Sequence, residues 1–217
     1  MPLHSLTPLS DHSVLGLWQL REPAQALLQV LPERYAAIQP TGRDQTRSTQ
    51  WLAGRVLAHE VLREFCTTSV ILVNDANGRP FFEQLPAFAV SLSHSGQWVS
   101  CMIATRGHVG TDVELVRDKA QKLAPRFLSE AERADAGDET AKHSLYWSAK
   151  ETIYKLYSRR GLVFKEHILL DPFKLREAGV LTGHLLLENS RSKHQIHYQR
   201  LTPDYVLTYA YCEMVMW

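Results

Sequence analysis

Val109-Gly110-Thr111-Asp112-Val113-Glu114-Leu115-Val116 alternates in character from residue to residue, the pattern of a strand with one face packed and the other presented. Val109, Thr111, Val113 and Leu115 share one face, while Asp112 and Glu114 share the other with Gly110. The two carboxylates therefore point the same way, roughly 7 Å apart at their Cα atoms. Like charges so placed repel, which a water-washed strand tolerates and a cleft does not unless a cation joins them. Hard oxygen donors of this kind suit Mg²⁺, which takes one or two carboxylates together with substrate phosphates. Taken alone, the stretch is equally well explained as a solvated strand face.

On both sides of this strand the chain repeats one kind of organisation. Upstream, residues 45–65 place Trp51, Val56, Leu57, Val61, Leu62 and Phe65 at helical intervals. Residues 69–73 are β-rich, 74–80 (NDANGRP) have turn composition, and 87–93 and 98–105 read as strands separated by the polar His94-Ser95-Gly96-Gln97. Downstream, Ser129-Glu130-Ala131-Glu132 is a capping box that starts a short helix. Residues 142–157 carry an apolar stripe of Tyr146, Ala149, Ile153, Leu156 and Tyr157. Residues 183–187, 194–201 and 205–213 read as antiparallel strands. Helix and antiparallel strands in each half predict an α+β chain of two related subdomains meeting near residues 105–110.

The whole chain sets the bounds. At 217 residues, 45% hydrophobic and 22% charged, it has the composition of a globular protein with a sizeable core. A formal net charge of +1 supplies no global field toward nucleic acid or membrane, so anion affinity must come from a local arrangement. No apolar run approaches the roughly 20 residues needed to span a bilayer, and MPLHSLTPLSDHSV lacks the features of a secretory signal. Cys66, Cys101 and Cys212 show no metal-ligand spacing, and their odd number argues against a disulfide framework. A cytoplasmic location is the expectation.

Two further stretches carry chemical side chains. In Trp147-Ser148-Ala149-Lys150-Glu151-Thr152-Ile153-Tyr154-Lys155, a helix aligns Trp147, Glu151 and Lys155 along one stripe. The plain reading is a Glu151–Lys155 surface pair worth about 0.3 kcal/mol; the other is a carboxylate and an ammonium for a metal–phosphate site. In Ser91-Leu92-Ser93-His94-Ser95-Gly96, a histidine among serines at a strand end makes a hydrogen-bond-rich corner suited to an anion, or simply a turn. Gly78-Arg79-Pro80 sets an arginine in a tight turn, and Arg43, Arg47 and Arg55 along the first helix and its approach read mostly as solvated charges.

Taken in order, GRP (78–80), SHS (93–95), GTDVE (110–114) and WSAKETIYK (147–155) resemble the motifs of the 4'-phosphopantetheinyl transferases of the surfactin-synthetase (Sfp-like) type. Each motif is weak alone; four in sequence are specific. Thr111 stands where that family has Ile or Val, and Thr152 where it has Ala or Ser; the charged positions are intact.

The resemblance implies transfer of the phosphopantetheine arm of coenzyme A to a serine of an apo acyl or peptidyl carrier protein, with release of adenosine 3',5'-bisphosphate. It implies Mg²⁺ held by Asp112, Glu114 and Glu151, with Glu151 as the base and Glu114 or a metal-held hydroxide as alternatives. Lys155 is expected to stabilise phosphate charge, and Arg79, His94, Ser93 and the less secure Arg47 to contact the coenzyme's phosphates. The family fold implies a monomeric pseudo-dimer of two similar subdomains, 1–106 (phosphate contacts) and 107–217 (metal ligands and catalytic helix). Each would be a helix on a small antiparallel sheet, with the active site in the cleft between them. A Mg²⁺-dependent phosphohydrolase or nuclease using the same acidic trio stands as the enzymatic alternative, and an inactive binder of coenzyme A or carrier as the non-enzymatic one. Neither nucleic acid nor membrane is expected as a partner.

Overall fold

A computed structural model describes residues 3–40, 44–158 and 161–213; Arg43 lies outside them. The chain divides into two compact units, Met1–Arg106 and Gly107–Trp217, and both combine helices with antiparallel sheets, an α+β architecture.

The first unit is built on a four-stranded antiparallel sheet in the order β1-β2-β6-β5. Its strands are β1 (Leu3–Ser10), β2 (Ser13–Gln19), β5 (Ala89–Ser95) and β6 (Trp98–Ala104). Pro8 is accommodated in β1, an edge strand that pairs only with β2, beside an irregularity in that pairing between Pro8 and Ser10. Helix α3 (Gln45–Leu62) packs on this sheet, its start capped by Asp44, whose carboxylate accepts from the Arg47 amide at 3.2 Å. Two short helices, α1 (Ala24–Gln29) and α2 (Arg34–Ile38), and the hairpin β3 (Leu72–Asn74) and β4 (Pro80–Phe82) complete the unit. The core holds Trp18, Tyr35, Leu52, Leu57, Val61, Phe82 and Ile103. Tyr35 also satisfies a buried donor there, accepting from the Leu72 amide at 2.7 Å.

The second unit is a five-stranded antiparallel sheet in the order β7-β11-β10-β9-β8. It comprises β7 (His108–Leu115), β8 (Ile168–Leu170), β9 (Ala178–Leu187), β10 (Ser190–Thr202) and β11 (Tyr205–Cys212). Helices α4 (Asp118–Phe127), α5 (Glu130–Ala136), α6 (Thr140–Tyr157) and α7 (Phe164–His167) accompany it. Leu145, Tyr146, Ala149 and Ile153 of α6 pack on Ile168, Leu185, Ile196 and Val206 of the sheet. Each such aliphatic side chain contributes about 1.5–3 kcal/mol of burial.

The capping box at Ser129 forms as the sequence predicts, Ser129 and Glu132 satisfying one another's backbone amides. None of the three cysteines is in a disulfide, Cys101 being buried and the other two half-buried. No helix among the described residues is long and apolar enough to cross a membrane.

Candidate functional site

Strand β7 and helix α6 build the acidic site of the second unit. Gly110 is a packing requirement: a Cβ there would stand 2.3 Å from the Thr152 carbonyl oxygen, so only glycine lets the helix backbone lie this close. A hydroxyl chain then fixes the helix at the level of Asp112. Ser148 Oγ donates to the Asp112 carbonyl at 3.3 Å, and Thr208 Oγ1 bonds both Ser148 Oγ (2.8 Å) and Thr152 Oγ1 (2.7 Å). Thr152, the departure from the family's small residue, therefore gains a partner on β11 and does not disturb the packing.

Asp112 is 3% exposed. Lys155 reaches across from α6, donating from Nζ to Asp112 Oδ1 at 2.7 Å and to the Thr111 carbonyl at 3.0 Å. The lysine's ion pair is thus with the strand rather than with Glu151 one turn earlier. Trp147 Nε1 donates to Glu114 Oε1 at 2.9 Å, while its ring packs edge-on against Phe127 and tilted against Phe164. Burial, helped by the anions of Asp112 and Glu114 and opposed by Lys155, pushes the Glu151 carboxyl up to about 7. That mutual influence is the electrostatic sign that Asp112, Glu114, Glu151 and Lys155 occupy one place.

The donors fit Mg²⁺ in kind, being carboxylate oxygens whose burial, and then their mutual repulsion, raises a proton affinity that a cation would lower again. Among the described residues, no group of three His, Cys, Asp or Glu side chains is gathered so that it could hold a metal ion. Beside Glu114 lies a cavity of about 350 Å³, walled by Leu115, Leu123, Phe127 and Trp147 and bordered by Arg117 and Lys119.

The first-unit candidates sit on three separate elements. Arg47 is exposed in the first turn of α3. Arg79 follows a glycine at φ +85° in the β3–β4 hairpin, its backbone held on both sides by Asp75. Ser93 and His94 are consecutive on β5 and so face opposite ways. His94 is on the side of Leu92, which packs toward Gly54 of α3, and Ser93 is on the side of Ser91 and Ser95. The strand runs through His94 to Ser95, further than its sequence predicts, and Gln50 of α3 ties the following turn by donating to the Gly96 carbonyl at 2.9 Å.

Several residues gain importance only in three dimensions. Lys150, in the middle of the helical motif, is fully buried, and its ammonium meets Glu132 Oε2 (2.7 Å) and the carbonyls of Phe127 (2.9 Å), Phe164 (3.2 Å) and Ile168 (2.6 Å). Burial lowers its proton affinity against the pull of Glu132. Glu132 accepts in turn from the Leu170 amide at 2.9 Å, so one buried pair joins α4, α5, α6 and β8. Arg55, a solvated charge by its sequence, is only 5% exposed, which corrects that expectation.

Residues 108–210 match the family model of the 4'-phosphopantetheinyl transferase superfamily. The chain is 32% identical over 132 residues to the 4'-phosphopantetheinyl transferase AcpT of Salmonella typhi, covering 58% of this chain and 65% of that one. It is 33% identical over 113 residues to the 4'-phosphopantetheinyl transferase psf-1 of Bacillus pumilus, 48% of each chain. It is 32% identical over 104 residues to the 4'-phosphopantetheinyl transferase Sfp of Bacillus subtilis (strain 168), 46% of this chain and 44% of that one. The matches thus span less than two thirds of these curated relatives. The likeness to 4'-phosphopantetheinyl transferases, read first from four motifs, is supported by comparison of both kinds.

Proposed function

We propose that this chain is a 4'-phosphopantetheinyl transferase, moving the phosphopantetheine arm of coenzyme A to a serine hydroxyl of an apo acyl or peptidyl carrier protein. The observation that carries the reading is the gathering of Asp112, Glu114, Glu151 and Lys155 by β7 and α6. An acidic trio with one ammonium is the equipment for charge-neutralised phosphoryl transfer.

In the reaction the serine Oγ–phosphorus bond forms as the bond from that phosphorus to the bridging pyrophosphate oxygen breaks. Adenosine 3',5'-bisphosphate leaves, and the serine proton passes to a base. We assign that proton to Glu151, a base that a bound cation would weaken; Glu114 is the alternative. Lys155 keeps Asp112 in place and offers its charge to the phosphate oxygens. Asp112, Glu114 and Glu151 would hold Mg²⁺, whose chemistry there is neutralisation of the pyrophosphate charge. Arg79, His94, Ser93 and Arg47 take the role of contacts to the coenzyme's phosphates. Arg117 and Lys119, at the cavity beside Glu114, give an acidic carrier two cations to meet. By the same resemblance the enzyme works as a cytoplasmic monomer.

Product stoichiometry tests the reading against a phosphohydrolase. The transferase releases one adenosine 3',5'-bisphosphate per carrier serine modified and none without a carrier. Release from coenzyme A in the absence of any carrier, at the same rate, would replace this reading with hydrolysis.

A further inference from the structure

Arg55 is a buried cation in the first unit that the proposed chemistry leaves without a role. Its guanidinium lies 3.7 Å from the centroid of the Trp51 ring and donates to the Trp51 carbonyl at 3.4 Å. No described carboxylate forms an ion pair with it, and its Nε bonds to no described residue. Desolvation lowers its pKa to about 10, so it still carries its charge at neutral pH. Burying an unpaired charge is expensive, and a Leu or Met of similar length would fill the space at lower cost.

Its strong contact explains the placement. Arg55 Nη2 donates to Asn74 Oδ1 at 2.5 Å, and Asn74 Nδ2 donates to the Gly78 carbonyl at 2.6 Å. Gly78 precedes Arg79 directly. The loop is also braced from within: Asp75 Oδ1 accepts from the amides of Asn77 (2.7 Å) and Arg79 (2.9 Å), and the Asp75 amide donates to the Arg79 carbonyl at 2.9 Å. These bonds set the shape of the loop but not its position on the unit. The relay from α3 through Asn74 ties the Gly78 end of the loop to the helix.

We infer that Arg55 is a positioning residue for Arg79, acting through Asn74 to fix where the Gly78-Arg79-Pro80 turn presents its guanidinium to a substrate phosphate. The inference rests on the reading that Arg79 contacts coenzyme A. A lysine in its place would supply charge but neither the planar stack on Trp51 nor the forked donor.

The test is the kinetics of Arg79→Ala, Arg55→Met, Arg55→Lys, Asn74→Ala and the Arg55→Met/Asn74→Ala double variant, with coenzyme A and carrier varied separately. Arg55→Met and Asn74→Ala each raise the KM for coenzyme A about tenfold, as a displacement of the turn by a fraction of an ångström should. They leave kcat and the carrier KM within about twofold, the double variant is no worse than either single one, and Arg55→Lys does not rescue. Asn74 is exposed, so its variant keeps the test open if Arg55→Met does not fold. Unchanged coenzyme A KM in Asn74→Ala, beside a raised KM in Arg79→Ala, overturns the relay alone. An unchanged KM in Arg79→Ala overturns the assignment of Arg79 beneath it.

Discussion

Lys155 Nζ stands 2.7 Å from Asp112 Oδ1, a pair that joins helix α6 to strand β7 in the second unit. The carboxylate is almost completely buried and the ammonium about a quarter exposed, so the pair is largely shielded from solvent on the strand side. Lys155→Met removes the ion-pair partner of a buried carboxylate. The variant should lose about 2 kcal/mol in urea unfolding and most of its turnover. Unchanged stability would mean that the pair does not fasten the helix.

Trp147 separates orientation from packing. Trp147→Phe removes the 2.9 Å bond to Glu114 Oε1 while an aromatic ring remains against Phe127 and Phe164. Turnover should fall at least tenfold with a melting temperature within a few degrees of wild type. Equal losses in both would make the tryptophan a packing residue only.

Glu151 predicts a pH dependence of stability. Its folded-state pKa, about 7, lies above its ordinary value of 4.5, so the folded form binds the proton more tightly than the unfolded chain. Stability from this group is full below about pH 4.5 and is lost as pH rises through 7. Glu151→Gln should therefore gain on wild type across that window and run parallel above it, as measured by urea unfolding at a series of pH values. Added Mg²⁺ should stabilise wild type at pH 8 and have little effect at pH 5. A Mg²⁺ effect of equal size in Glu151→Gln would remove Glu151 from the ligand set.

The sequence carried the alternation that puts Asp112 and Glu114 on one face, because a strand's period is local. It also carried the capping box at Ser129, whose partners are three residues apart. It could not carry the Lys155–Asp112 pair, since that depends on how α6 lies across β7; helical spacing alone favoured Glu151 as the lysine's partner. The burial of Arg55 is hidden for the same reason: a helical arginine resembles solvated charge until the hairpin bearing Asn74 folds over it. The opposite facing of Ser93 and His94 was latent in the strand period but masked by their polar surroundings, which shortened the strand as read.

Gly110 tests the packing of the site without touching its charges. Gly110→Ala brings a methyl to 2.3 Å from the Thr152 carbonyl oxygen, and the helix must move to admit it. A loss of about 1–3 kcal/mol is expected, with turnover falling because Glu151 and Lys155 move with the helix. Wild-type melting and rate would show that the close approach of α6 to β7 is not required.

Charge reversal at the cavity beside Glu114 tests the acceptor side. Arg117→Glu with Lys119→Glu should raise the KM for an acidic carrier by tenfold or more at low salt, with the KM for coenzyme A unchanged. A raised KM for coenzyme A instead would assign these cations to the nucleotide.

Modification of carrier serines is read from the intact mass of apo acyl and peptidyl carrier proteins incubated with coenzyme A, Mg²⁺ and the protein. At least one carrier should gain the mass of a single phosphopantetheine arm with wild type and none with Asp112→Ala of normal melting temperature. A folded wild-type protein that leaves every carrier in the panel unmodified, or an Asp112→Ala variant that modifies them at the wild-type rate, would contradict the account.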